Sequence, residues 1–250
     1  MKRSKKIVCI MMVLSMLQGA SMTYDTVSAA GISVQTVAAV TLSVKKLPSS
    51  VKLNKASEKL VVGRTVTLKA TVSPSGSSNL TWTSSNKKVA TVDTSGKVKA
   101  VGKGTASITV KTSNGKSAVC VVSVITQNEA YVEEVINRVN VERTKRGLSK
   151  LTVNSRLSNA AKKRAAETEK KLSHTRPNGK SFSTVLDEYG VKYTVAGENI
   201  AYNYYTAAEA MEGLMDSKGH RDNILSKKFS HIGVGLYEKD GFKYLVQLFT

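Results

Sequence analysis

Cysteine is nearly missing from this chain: Cys9 and Cys120 are the two among 250 residues. Cys9 lies inside an N-terminal apolar run. If that run is removed on export, Cys120 is left alone and no internal disulfide can form, so stability must come from packed cores. Carboxylates are also scarce, with 18 Asp and Glu against 38 Lys and Arg, for a net charge of +20. No apolar run reaches the ~20 residues that a membrane-spanning helix needs. Neither a serine or cysteine nucleophile in a recognisable elbow nor a local metal motif such as His-Glu-x-x-His is present. No nucleic-acid motif is visible either.

What is present begins with an export signal. Met1-Lys-Arg-Ser-Lys-Lys6 is a basic start, Ile7 to Leu17 is an uncharged apolar stretch, and Val27-Ser-Ala-Ala30 offers small residues for cleavage. Gln18, Gly19, Ser21 and Thr23 break the run, which argues against a transmembrane anchor. Residues 1–30 are therefore expected to be removed, giving a secreted, extracellular or cell-wall-associated protein. A secreted chain without disulfides and with a short Lys-rich start points to a bacterial source with an accessible wall.

The positive charge concentrates in the middle. Residues 31–124 hold 14 Lys and Arg against 2 Asp and Glu. Such a surface attracts polyanions, and outside the cell an anionic cell-wall polymer or glycan fits better than nucleic acid. Lysines that keep strand faces soluble and edges unpaired are the alternative.

Across Val44 to Val124 the apolar residues alternate in short runs separated by Gly, Ser and Asn turns, which predicts an all-β sandwich. Val66, Leu68, Ala70, Val72, Ile108 and Val110 are expected inside, with Trp82 as a central packing residue. Trp82-Thr-Ser-Ser-Asn, Val89-Ala-Thr-Val-Asp93 and Gly96 to Thr105 follow one another in an order that resembles the group 2 bacterial Ig-like domain over about 41–124. That resemblance implies a spacer or adhesion module with no catalysis.

Past Gln127 the period changes to 3.6. Val132, Val135, Ile136 and Val139 share one helical face, with Asn128 as the expected N-cap. Leu157, Ala160, Ala161 and Ala165 mark a second helix. Thr206-Ala-Ala-Glu209 reads as a capping box opening a third. Two alternating segments, from His231 and from Phe242, flank an Asp240-Gly241 turn and predict a terminal hairpin. The second domain is thus expected to be α+β.

All three histidines lie in this half. His174 and His220 sit in polar, glycine-punctuated segments, and between them Glu198 interrupts an apolar run. A carboxylate there needs a partner. Two imidazoles and a carboxylate suit a divalent transition metal or an acid–base pair with an orienting group.

Ser173-His174-Thr with Pro177-Asn-Gly179, Gly197-Glu198-Asn-Ile and Gly219-His220-Arg-x-Asn-Ile-Leu resemble, in this order, the signature segments of the CAP (SCP-like, cysteine-rich secretory protein) superfamily. Ile232-Gly-Val-Gly235 and the Val246-Gln-Leu-Phe-Thr250 ending extend the match over 128–250. The resemblance implies an α-β-α sandwich. It also implies a cleft in which His174, Glu198 and His220 hold a divalent metal such as zinc, with Asp216 the best fourth ligand and Ser217 the competing alignment. His231 is left out as a strand residue. Tyr202 and Tyr204 are candidate ligand-binding residues at the rim, stacking on a sugar or lipid, with ordinary loop and core tyrosines as the alternative. Arg221 and Asp222 are expected in ion pairs.

No catalytic residue is assigned. The pattern favours a secreted binding module for a peptide, glycan or lipid, displayed on an Ig-like spacer. The alternative is a metal-dependent hydrolase of peptide or cell-wall substrate, with Glu198 as general base.

Overall fold

The computed structural model describes residues 46–75 and 79–250. The expected export signal and the first residues of the expected Ig-like region, up to residue 45, lie outside them. No helix among the described residues is long and apolar enough to cross a membrane.

Among the described residues the N-terminal sandwich has nine strands: β1 (Ser50–Leu53), β2 (Ser57–Val61), β3 (Thr65–Thr67), β4 (Ala70–Ser73), β5 (Leu80–Ser84), β6 (Ala90–Val92), β7 (Lys97–Ala100), β8 (Gly104–Thr112) and β9 (Ser117–Ile125). One sheet runs β2-β9-β8-β5, a second β3-β7-β6, and β1 pairs with β4. Alternation does the sorting. Val98, Ala100, Ile108, Val110, Cys120 and Val122 point inward and are fully buried, while the lysines between them face water.

Two expectations change here. The alternating run Thr65 to Val72 is split at Leu68-Lys69, because β3 pairs with β7 whereas β4 crosses to β1. Leu68 is buried at that corner, but Val66, Ala70 and Val72 are half-buried. Trp82 also sits half-buried at the rim, because its strand is a sheet edge; its ring lies over Gly96. Cys120 is a free, buried thiol whose pKa burial pushes up. That leaves it packing as a small hydrophobe.

Thr126 alone separates β9 from helix α1 (Gln127–Thr144). The N-cap is Thr126, not Asn128: its hydroxyl accepts from the Glu129 N–H at 3.1 Å, and Glu129 answers to the Thr126 N–H at 3.0 Å. The sequence T-x-x-E outcompetes the neighbouring asparagine because both halves of the box close. Lys59 meets Glu133 at 3.0 Å and Lys103 meets Glu129 across the junction.

The second domain continues with β10 (Thr152–Val153), α2 (Ser155–Lys170), α3 (Thr184–Glu188), β11 (Gly197–Tyr202), α4 (Ala207–Asp216), α5 (Lys218–Ile224), β12 (His231–Lys239) and β13 (Phe242–Phe249). The sheet order is β10-β12-β13-β11, antiparallel except for the β10–β12 pair. Residues of β11, β12 and β13 alternate between two cores. Ile232, Val234, Leu245 and Phe249 meet α1, α4 and α5 on one side. Val246 and Leu248 meet α2 and α3 on the other. The result is an α-β-α sandwich. Asp240 and Gly241 make the two-residue turn with φ of 52° and 80°, as the Asp-Gly pair predicts.

The Ile232-Gly-Val-Gly235 motif has a steric reason. A Cβ on Gly233 would stand 2.3 Å from the Leu157 backbone carbon, and one on Gly235 2.2 Å from that of Ala161. The two glycines, facing the small residues Ala160, Ala161 and Ala165, let α2 lie directly on β12.

Candidate functional site

On β11 Glu198 shares a face with Ile200, and the long side chain of Arg164 reaches it there from α2, which packs on β12 and β13. Arg164 occupies the apolar stripe of its helix, seven residues after Leu157. Both charged side chains are fully buried. The Arg164 Nε donates to Glu198 Oε2 at 2.8 Å, and one Nη donates to Oε1 at 3.3 Å and to the Ser173 carbonyl at 2.9 Å. The other Nη reaches Glu167 at 3.0 Å. Glu167 is shared with buried Arg176, which also grips Glu188 at 2.6 Å and the Thr184 hydroxyl at 2.9 Å. Burial opposes the Glu167 charge, but Arg176 and Arg164 outweigh it and hold its carboxyl below the usual range.

His174 closes this chain at the surface. Its loop is a short antiparallel turn in which Thr175 bridges to Ser181. The ring is 61% exposed, and its Nδ1 lies 2.9 Å from Glu198 Oε1. The six groups thus run from surface to surface: His174, Glu198, Arg164, Glu167, Arg176, Glu188. Single removal from such a chain leaves a buried charge without its partner, which is the costly case.

His220 arrives from the other side on α5, and amides hold it there. Asn199, beside Glu198 on the opposite face of β11, donates to the His220 carbonyl at 3.0 Å and to Gln247 Oε1 at 3.0 Å. Asn223, on the same helix as His220, donates to the Glu198 carbonyl at 3.2 Å and to Asn199 Oδ1 at 2.9 Å. These bonds account for the asparagines in Gly-Glu-Asn and in His-Arg-x-Asn: they bolt α5 to β11. Burial first, and the charge of His174 second, push the His220 pKa down.

Of the four residues expected to bind metal, the structure therefore brings three into one neighbourhood. Asp216 is elsewhere. It ends α4 and lines a groove of about 820 Å³ between α1 and α4 with Met211, Met215, Glu212 and Arg138. The residues present do not fit a metal centre. Glu198 has both oxygens engaged, His174 spends Nδ1 on Glu198, and no three His, Cys, Asp or Glu side chains among the described residues converge as ligands.

The two tyrosines also lie away from this cluster. Tyr202 is four residues along β11 from Glu198, about 13 Å at strand rise. It sits with Phe242 at 6.0 Å and Tyr244 at 5.0 Å between ring centroids. Tyr204 packs its ring against Gly213 of α4, and its carbonyl accepts from the Tyr131 hydroxyl at 3.1 Å. Arg221 donates to the Met215 and Asp216 carbonyls rather than pairing with a carboxylate, while Asp222 pairs with Lys218 at 2.7 Å. His231 begins β12 half-buried, with Nδ1 2.8 Å from the Ser230 hydroxyl.

The displaced His220 pKa has a consequence with a definite sign. The folded state holds the neutral ring better than the unfolded chain does. The two states agree above the unfolded value near 6.5, and stability is lost as pH falls from there toward the folded value. Titration followed by nuclear magnetic resonance is expected to place His220 below an ordinary histidine. In His174→Ala it moves partway back up, since the burial contribution stays. A His220 that titrates normally in the native protein contradicts this geometry.

Comparison with known proteins agrees with the fold. Residues 136–249 match the model of the cysteine-rich secretory protein family (CAP), and residues 49–122 match that of the bacterial Ig-like domain, group 2. The uncharacterized protein YkwD of Bacillus subtilis is 38% identical over 111 residues, 44% of this chain and 43% of its own. The kappa-carrageenase of Pseudoalteromonas carrageenovora is 50% identical over 68 residues, 26% of this chain and 17% of its own. The chain thus spans less than half the length of these relatives. A crystal structure of an extracellular protein containing a SCP domain from Bacillus anthracis aligns at TM-score 0.46 and 19% identity, covering 57% of this chain and 56% of that one. The ordered motifs, the α-β-α layers and the two family models converge: this chain carries a CAP domain of the cysteine-rich secretory protein family behind a group 2 bacterial Ig-like domain.

Proposed function

We propose that the protein is an extracellular, wall-associated binding protein, in which the Ig-like domain displays the CAP domain and the CAP domain captures a ligand rather than cleaving one. The observation that carries this reading is the state of Glu198. A general base needs a free lone pair aimed at a water, and a metal ligand needs an oxygen not already held by a cation. Glu198 offers neither: its side chain is fully buried away from water, Arg164 holds both oxygens and His174 shares one. The carboxylate serves as the keystone between α2, β11 and the His174 loop. The basic start and uncharged apolar stretch within residues 1–30, read as an export signal, support an extracellular setting.

The test is incubation of the full-length protein with isolated Gram-positive cell walls. The protein is expected to sediment with the wall, with no new soluble wall fragments by mass spectrometry. Release of fragments that stops on chelation of divalent metal overturns the reading in favour of a metal-dependent hydrolase.

A further inference from the structure

We infer that the outer face of the three-stranded sheet β3-β7-β6 in the Ig-like domain is a binding site for a linear phosphodiester polymer. The site deepens the reading of this domain as the wall-facing part. Its rows follow from register. Lys99 on β7 stands between Thr65 on β3 and Thr91 on β6, and Lys97 stands beside Thr67. Both lysines are exposed, because Val98 and Ala100 take the inward positions and are buried. Arg64, exposed at the start of β3, extends the cationic edge.

The charge on this face is only partly compensated: Asp93 follows β6 and lies beside Lys97, which leaves Lys99 and Arg64 without a carboxylate partner among the described residues. Among the described residues Lys97, Lys99 and Arg64 form no ion pair. Of the two carboxylates of residues 31–124, one lies on the other sheet and the other spends an oxygen on the turn that precedes Lys97. Glu58 pairs with Lys55 at 2.6 Å. The Asp93 Oδ1 accepts from the Ser95 N–H at 2.9 Å, the Ser95 hydroxyl at 2.6 Å and the Lys97 N–H at 3.0 Å.

Three features select the partner. Lysines two apart on a strand place their ammonium groups about 7 Å apart along a line, which suits charges repeated along a chain better than a single anion. Threonine hydroxyls beside each lysine donate to the same phosphate oxygens. No apolar side chain stands in these rows to enter a bilayer and no aromatic one to stack on a base, which disfavours a membrane surface and single-stranded nucleic acid.

The experiment measures binding of the full-length protein to immobilised teichoic acid, a polyol-phosphate polymer, over a salt series. Phosphatidylglycerol vesicles and the carboxylated glycan hyaluronate serve as comparison probes. Lys97→Ala/Lys99→Ala is expected to bind the polymer roughly 30-fold more weakly, taking each lysine near an anionic surface at its usual worth. The log–log salt slope is expected to fall by about 1.4, two charges at the value for flexible strands. The control Lys111→Ala/Lys116→Ala, on β8 and in the β8–β9 turn, is expected to stay close to the native affinity. Both pairs are exposed, so melting temperatures stay near the native value. Equal losses in the two double variants, unchanged affinity in the first, or tighter binding to vesicles or hyaluronate than to teichoic acid each overturn the proposal. Because the readout is polymer affinity, it is independent of whether the CAP domain releases wall fragments.

Discussion

Gly235→Ala is expected to cost the CAP domain about 3 kcal/mol or more, the upper end of what overpacking does to a core. The added methyl would meet the Ala161 carbonyl carbon and oxygen at 2.2 Å and the Lys162 nitrogen at 2.3 Å. Those atoms belong to helix backbone, which cannot rotate aside as a side-chain tip can. Either α2 lifts off β12 or the strand bends away from β13. Lifting α2 uncovers Leu157, Ala161 and Ala165, which are fully buried, and separates Arg164 from Glu198. Gly219→Ala makes the matched control. Nothing lies within 4 Å of its Cβ position, and the residue sits inside α5. Alanine there is expected to be neutral or to stabilise by about 0.5–1 kcal/mol through helix propensity. Thermal unfolding followed by circular dichroism separates the two. A Gly235→Ala protein that melts like the native one removes the close approach of α2 and β12.

Arg164→Met is expected to be comparably damaging for an electrostatic reason. The substitution keeps most of the stem volume but leaves Glu198 inside the sandwich with only the exposed His174 ring beside it. Breaking a buried pair from one side typically costs about 3–5 kcal/mol, more than the pair itself is worth. Arg164→Met/Glu198→Leu removes both charges together and is expected to recover a large part of that loss, with a coupling of up to about 3 kcal/mol. Denaturant unfolding of the two single variants and the double variant completes the cycle. Additive losses would show that Arg164 and Glu198 do not act as a pair.

Much of this was legible in the sequence. The period change near Gln127, the capping box at Thr206, the Asp240-Gly241 turn and the inward faces of β7 and β8 follow from alternation and turn chemistry. Three things were harder, each for a physical reason. The T-x-x-E box at Thr126 was overshadowed by Asn128, because two adjacent residues can both cap and only closed geometry decides between them. Asp216 is four residues before His220, which on a continuous helix would put them on one face. The chain instead breaks at Ser217, whose extended φ and ψ of −77° and 119° turn α5 away from α4. Tyr202 is near Glu198 in sequence but a strand keeps residues apart by more than 3 Å each.

The role of Arg164 has its own signal in the sequence. It falls in register with Leu157, Ala160, Ala161 and Ala165 on an otherwise apolar stripe, so it had to be buried and therefore paired. The isolated Glu198 raised the same demand from the other side. Two orphan charges of opposite sign in one domain predict each other. Arg176 gave no such signal, because its partners Glu167 and Glu188 lie on two different helices.

Locked by Arg164 and His174, Glu198 is expected to offer nothing to a metal or a water. Calorimetric titration of the full-length protein with zinc at neutral pH, alongside His174→Ala, tests it most directly. No saturable one-to-one binding at micromolar zinc is expected in either protein. Tight stoichiometric uptake by the native chain that disappears in His174→Ala would contradict it.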